Sequence, residues 1–340
     1  MTLLVATHPR FAEHDTGAGH PERPARLRAV ERGIADAGLA EAIRLVEAAP
    51  APRAAVERVH PEALVSALER FCRAGGGYLD PDTHVGPASF EAALLAAGAG
   101  LDLVARLDRG EGEAGFCAVR PPGHHATATR SMGFCLFNNV AVTAAALADR
   151  GERVVVVDYD AHHGNGTQDV FYDDPRVFYV SLHEWPLYPG TGALRDTGRD
   201  EGIGTTLNFP LPAGATGDVY RRAIEDVVLP AMAGFAPTWL LISAGFDAHR
   251  ADPLTGLALT AGDYADITAD LLVLAPPGRR LLFLEGGYDL DGLAASCGAA
   301  LATVVDASYR PERPSTGGPG SEVVAAAALG RQATPPALRP

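Results

Sequence analysis

The sequence predicts an α/β protein with a mostly parallel central sheet of about eight strands, doubly wound, with helices on both faces. Three observations predict it. Short β-branched or apolar runs alternate with longer Ala/Leu-rich amphipathic stretches, the pattern of repeated βα units. The runs VVVV (154–157) and WLLIS (239–243) are continuously apolar, as strands buried on both faces are. Five of the runs end in polar clusters at their C-terminal ends, where open parallel sheets place their sites.

In chain order the expected strands are LLVAT (3–7), IRLVEA (43–48), GFCAV (115–119), VVVVDYD (154–160), VFYVSLH (177–183), TTLNFPL (205–211), WLLISAG (239–245) and RLLFLEGG (280–287). Each is a short apolar or β-branched run. The Ala/Leu-rich stretches between them predict helices near 22–38, 61–75, 88–107, 137–149, 217–235, 260–275 and 289–305. No boundary or internal repeat interrupts this series before about residue 308, so 1–307 is expected to be a single domain. From SYRPERPSTGGPGS onward the chain is Pro/Gly/Ser-rich, with a short Ala helix candidate and a Pro-rich end. Residues 308–340 therefore read as a Pro/Gly/Ala-rich, largely disordered tail.

The 340 residues carry a formal net charge of −14, and all 28 basic residues are arginine. Without lysine there is no Walker A loop, no lysine Schiff base and no pyridoxal phosphate anchor. An acidic chain without a basic tract has no footprint for nucleic acid, though it suits cationic substrates. With 47% hydrophobic and 21% charged residues the composition is that of a soluble globular protein, and no apolar run reaches a membrane span of about 18 residues. The N-terminus does not read as a signal peptide, so the expected location is the cytoplasm. Cys72, Cys117, Cys135 and Cys297 form no C-x-x-C pair and are expected to be buried, inert thiols.

The five clusters are VRPPGHHA (119–126), DYDAHHGNG (158–166), SLHE (181–184), SAGFDAHRADP (243–253) and EGGYD (285–289). In DYDAHHGNG, strand alternation would put Asp158, Asp160 and His162 on one face. Asp160 and His162 can then bind one metal, with Asp247, just past WLLISAG, as the candidate third ligand. Two carboxylates and one imidazole leave a position for water and suit Zn²⁺, but also Fe²⁺, Co²⁺ or Mn²⁺. His124 and His125 follow a rigid Pro-Pro-Gly turn and are the candidate acid/base pair, with Asp158 and Asn165 as partners that fix each tautomer. An aspartate raises its histidine's basicity more than an asparagine does, so the two would not be equivalent. Tyr288 follows Gly286 and Gly287, whose flexibility would let the phenol swing toward the metal and donate to a developing oxyanion.

In order along the chain, TGAGHPERPARL (16–27), RPPGHHA, GFCLFNN (133–139), DYDAHHGNGT, SLHE followed by YPGTG, SAGFDAHRADPL and EGGY resemble the histone deacetylase superfamily. The match is closest to its class II, bacterial amidohydrolase-like and acetylpolyamine amidohydrolase members, on an arginase-like three-layer fold. The resemblance covers about residues 8–305 and implies Asp160, His162 and Asp247 as zinc ligands, His124 and His125 as the histidine pair and Tyr288 as the oxyanion donor. It also implies a narrow acyl-lysine tunnel lined by Gly133, Phe134 and Tyr188. A structural K⁺ would be held by Asp158, Ser181 and the carbonyls of Asp160, His162 and Leu182. Asn165 departs from the aspartate of class I members and agrees with class II.

The function so implied is deacylation of an acyl-lysine side chain, with His125 as general base and then acid. Acetylpolyamines and other small acylated amines present the same amide. Polyamine-selective relatives use an acidic gatekeeper where this chain has Leu254, which tilts the reading toward acyl-lysine. An arginase-like two-metal hydrolase is disfavoured by the intact GHH and GGY motifs. A non-catalytic acyl-lysine binding module is disfavoured because no zinc ligand, paired histidine or Tyr288 is lost.

Overall fold

The computed structural model describes residues 1–333. Its first half runs β1 (Leu3–Thr7), α1 (Ala25–Asp36), β2 (Ile43–Glu47), α2 (Arg53–Glu57), α3 (Glu62–Arg73), β3 (Gly77–Tyr78), β4 (His84–Val85), α4 (Ser89–Asp108), β5 (Ala114–Cys117) and α5 (Asn139–Ala148). There follow β6 (Val154–Asp158), α6 (Asn165–Phe171), β7 (Val177–Glu184), β8 (Thr206–Leu211), α7 (Gly217–Ala223), a π turn (Ile224–Val228), α8 (Leu229–Phe235), β9 (Trp239–Ala244), α9 (Ala261–Leu272), β10 (Arg280–Leu284), α10 (Leu290–Val304) and α11 (Ser321–Ala333).

Eight strands form one sheet in the order β2-β1-β5-β10-β9-β6-β7-β8, and every neighbouring pair is parallel. The β3–β4 hairpin stands apart from it. Because strand side chains alternate, Val155 and Val157 of β6 enter one core while Val154 and Val156 enter the other. Burying each of these valines contributes roughly 1.5–3 kcal/mol. The first core is closed by Val30 of α1, Tyr220 of α7, Met232 of α8, Ile267 of α9 and Leu301 of α10. The second is closed by Leu68 of α3, Leu103 of α4 and Leu147 of α5. The result is three layers, and β5, β10, β9, β6 and β7 lie side by side with their C-terminal ends along one edge.

Several elements differ from the sequence expectation. The stretch 217–235 is two helices joined by the π turn, and Pro230 stands at the start of the second. Proline has no N–H for the helical ladder and its ring strikes the carbonyl four residues back, so the ladder widens ahead of it. Helices α2 and α6 and the β3–β4 hairpin are too short to give a periodic signal. The largely disordered tail is corrected for its described part. Ser315 Oγ donates to Asp263 (2.6 Å), the Gly217 N–H donates to Ser315 Oγ (3.0 Å), and the Gly318 N–H donates to Thr216 Oγ1 (2.8 Å). Helix α11 places Val324 and Ala327 in the first core. Pro/Gly/Ser composition reports low local hydrophobicity, but these polar groups find partners on the first turns of α7 and α9, which local composition cannot register. Residues 334–340 lie outside the described residues. No helix among the described residues is long and apolar enough to cross a membrane.

Candidate active site

Strand β6 ends at Asp158, two residues earlier than expected, so Asp160 and His162 are not set by strand alternation. Instead Asp158 Oδ1 accepts the Asp160 N–H (3.1 Å) and Asp160 Oδ1 accepts the His162 N–H (2.9 Å). Two successive side-chain-to-backbone turns therefore space the loop. His162 Nδ1 lies 3.2 Å from Asp160 Oδ1 and 3.0 Å from Asp247 Oδ2, and the ligand atoms of the three residues all lie within 4.8 Å of one another. Asp247 arrives from the adjacent strand β9, fixed by the Ala161 N–H on its Oδ1 (2.8 Å).

This donor set fits a divalent cation. Asp160 and Asp247 are both fully buried, with one imidazole between them. Burial and the Asp160 charge push the Asp247 carboxyl up to about 7. Burial alone would lower His162, but its hydrogen bonds to Asp160 and Asp247 outweigh it and hold the imidazole up to about 10, a proton standing where a cation is wanted.

The histidine pair sits on the loop after β5. His124 Nδ1 meets Asp158 Oδ2 at 3.0 Å, and His125 Nδ1 meets Asn165 Oδ1 at 2.8 Å. Burial disfavours the His124 cation, but the charges of Asp160 and Asp158 prevail and raise its pKa well above the usual value. His125 is driven the other way, by burial first and then by His124 and His162. The Asn165 carbonyl oxygen can only accept, so His125 carries its proton on Nδ1 and leaves a lone pair on Nε2. The surroundings thus favour the charged form of one ring and the neutral form of its neighbour, with centroids 4.1 Å apart.

The Glu285–Tyr288 turn is not free to swing, contrary to the sequence expectation. The Gly286 N–H donates to Asp160 Oδ2 (2.7 Å), and the Gly287 carbonyl accepts Arg26 Nε–H (2.7 Å). The Glu285 carbonyl also accepts from Arg26, and the Tyr288 N–H donates to Asp252 Oδ2 (2.7 Å). Glycine is needed at 286 for close approach, since a Cβ there would lie 2.2 Å from Asp247 Oδ2. Arg26 lies over the Tyr288 ring, 5.1 Å from its centroid, and is paired with buried Glu22 (3.2 Å), which also pairs with Arg120. Burial would raise Glu22, but Arg120 and Arg26 hold it down to about 2. Burial raises the Tyr288 phenol well above its usual value, so it stays protonated and able to donate.

A cavity of about 220 Å³ brings together His125, His162, Tyr288, Gly133, Phe134, Tyr188 and Leu254. Its lining also includes Asp82 and Leu187, which the sequence reading missed. Gly133 (φ +57°) and Phe134 (φ +66°) are consecutive left-handed residues, closed by the Cys135 N–H on the Met132 carbonyl (3.0 Å). This is the geometry of a type I′ turn; it holds a phenylalanine in a conformation costing about 1 kcal/mol and sets its ring against Tyr288, centroids 5.9 Å apart. Ser181 pairs in register with Asp158, and the Leu182 carbonyl accepts the Tyr220 hydroxyl (3.3 Å). All four cysteines are buried and unpaired. Cys135 lies within 4.8 Å of His124 and Glu285, but burial pushes its thiol well above the usual value. Asp252, Glu285 and Arg26 stand inside the motif segments and Asp82 in none of them; what marks all four is contact with distant segments.

The model of the family described as "Histone deacetylase domain" matches residues 20–304. The chain is 38% identical over 328 residues to a "Probable deacetylase" of Archaeoglobus fulgidus, covering 92% of this chain and 91% of that protein. It is 38% identical over 297 residues to the "Histone deacetylase-like amidohydrolase" of Pseudomonas aeruginosa, covering 86% of this chain and 78% of that protein. Among solved structures, the "HDA15 HD domain" superposes with a TM-score of 0.88 at 36% identity, covering 98% of this chain and 93% of that one.

Proposed function

The chain belongs to the histone deacetylase family, a hydrolase of the deacetylase type on the arginase-like α/β fold, and from that premise we propose that it is a zinc-dependent deacetylase removing an acetyl or other short acyl group from the Nε of acyl-lysine. The observation that carries the reading is one cavity lined by His125, His162 and Tyr288, with Asp160 and Asp247 completing a three-residue metal-binding set around His162 and His124 packed against His125. Asp160, His162 and Asp247 would hold the zinc ion. When bound, zinc supplies Lewis acidity toward the amide carbonyl and the attacking water. His125 Nε2 takes the proton of the attacking water and returns it to the departing amine nitrogen. The Tyr288 hydroxyl donates to the oxyanion of the tetrahedral intermediate, and the His124 cation, held by Asp158, adds favourable charge. Asp158, Ser181 and the carbonyls of Asp160, His162 and Leu182 form the proposed potassium site behind His124. Gly133, Phe134 and Tyr188 would flank the acyl-lysine chain, with Leu254 at the mouth. The apolar mouth residue favours acyl-lysine over a polycationic acylamine. We place the activity in the cytoplasm.

The test is acetate release by the zinc-loaded protein from an acetyl-lysine peptide and from N-acetylputrescine, with Tyr288→Phe as control. The expected outcome is turnover of the peptide, lost by about 100- to 1,000-fold in kcat in Tyr288→Phe with zinc content and KM little changed. Turnover of the polyamine alone would move the substrate class. Undiminished kcat in Tyr288→Phe would remove the oxyanion role.

A further inference from the structure

The segment that follows the family match reaches the active-site loops from outside. Within residues 309–320, Glu312 is the side chain that touches the loop after β9. Its Oε2 accepts the Ala261 N–H (2.8 Å) and lies 2.8 Å from His249 Nε2, while Oε1 pairs with Arg250. His249 is buried, and its Nδ1 accepts the Ala251 N–H (3.3 Å). With Nδ1 accepting, Nε2 is the nitrogen that carries the proton and donates to Glu312. The His249 carbonyl accepts the Asp252 N–H (2.8 Å). Glu312 therefore selects the ring orientation and tautomer that hold the turn from 249 to 252.

Asp252 makes the next link. Its Oδ2 accepts the Tyr288 N–H (2.7 Å) and the Asp289 N–H (3.4 Å), and its Oδ1 accepts the Leu254 N–H (3.0 Å). Asp289 in turn caps α10 through the Gly292 N–H (2.7 Å). A Cβ on Gly292 would lie 2.6 Å from His249 Nδ1, so the imidazole also packs directly on the turn that follows Tyr288.

We propose that Glu312 is a positioning residue for Tyr288, acting through His249 and Asp252 on the backbone from which the phenol projects into the cavity. The inference rests on the reading of Tyr288 as oxyanion donor. Oxyanion stabilisation is steep in distance, so a displacement well under 1 Å at the Tyr288 backbone costs turnover while leaving the metal-binding set and the tunnel in place. Since Glu312 lies beyond residue 304, this control belongs to the C-terminal segment and not to the matched domain.

The experiment is a kinetic double-mutant cycle on the full-length, zinc-loaded chain with an acetyl-lysine peptide, comparing Glu312→Ala, Tyr288→Phe and the pair. Glu312→Ala should lower kcat about tenfold with KM within about twofold, and by less than about twofold when Tyr288 is already Phe. Glu312→Gln, which keeps an acceptor oxygen for His249 and Ala261, should recover most of the loss. A role in fold stability alone would lower kcat by the same factor in both backgrounds, and that additive result, or an unchanged kcat in Glu312→Ala, overturns the proposal. If Glu312→Ala does not fold, as read by its thermal midpoint, His249→Leu goes through the same cycle, with the same two results deciding. Undiminished kcat in Tyr288→Phe itself would instead strike the oxyanion reading, and the relay would fall with it.

Discussion

Two neighbouring imidazoles are driven toward opposite protonation by the atoms around them. Asp158 and Asp160 favour the charged form of His124, while burial and the adjacent cations favour the neutral form of His125, whose Nδ1 proton is absorbed by the Asn165 amide oxygen. Asn165→Asp places a carboxylate where the amide was and favours protonated His125, so the free base exists only at higher pH. The acidic limb of the kcat/KM profile should move up by about one unit or more, and an unmoved limb would remove His125 as the base. At this scale the candidate set was legible: His124, His125, Asp160, His162, Asp247 and Tyr288 each stood in a motif, and the fold brings them to one place. Asp252 and Arg26 were not legible as site residues, because a carboxylate accepting the Tyr288 N–H and a guanidinium bonded to the Gly287 carbonyl are contacts between segments far apart in sequence.

Secondary-structure elements act here mainly by where they stop. Ending β6 at Asp158 turns the following residues into a loop held by the carboxylates of Asp158 and Asp160, and starting α6 at Asn165 presents that side chain to His125. A similar joint lies away from the site at His60, between α2 and α3. Its Nε2 accepts the Asn138 N–H (2.8 Å) at the start of α5, and its Nδ1 lies 3.3 Å from the Ala128 carbonyl. Burial holds this imidazole down to about 4. As pH falls the unfolded chain takes up the proton first, near its ordinary value of about 6.5. The stability His60 contributes at neutral pH, at most about 3 kcal/mol, is therefore lost as pH falls from about 6.5 to 4. His60→Gln should have a lower thermal midpoint at pH 7 and a flatter dependence on pH across that window; a parallel curve would show that His60 is not neutral in the folded chain.

The whole molecule depends on one sheet in which β6 and β9 are neighbours, so that Asp160 and Asp247 meet although two strands and three α-helices of the sequence lie between β6 and β9. Chelation should lower the thermal midpoint, because a cation bound only by the folded chain stabilises it by mass action, and added zinc should restore it. An unchanged midpoint would mean that no metal is held there. The same sheet is finished by the C-terminal segment, whose α11 buries Val324 in the first core. Val324→Asp puts an unpaired carboxylate there and should destabilise by about 2 kcal/mol or more, read as a lower urea midpoint. An unaltered midpoint would mean that α11 does not stay docked in solution.

The sequence by itself determined the eight strands, the parallel class of the sheet and the candidate residues of the site, because periodicity, apolar runs and motif spacing are local and survive in one dimension. VVVV and EGGY announce a buried strand and a polar turn without any knowledge of their neighbours. Tertiary structure alone decided the strand order, the early end of β6 and the pinning of the Gly286–Gly287 turn by Arg26, Asp160 and Asp252. It also made 309–333 part of the fold. A polar group's partner is chosen by distance in space, and composition reports only what a segment could bury on its own. For that reason Glu312, in a stretch whose composition reads as a disordered tail, ends three hydrogen bonds away from Tyr288, through His249 and Asp252.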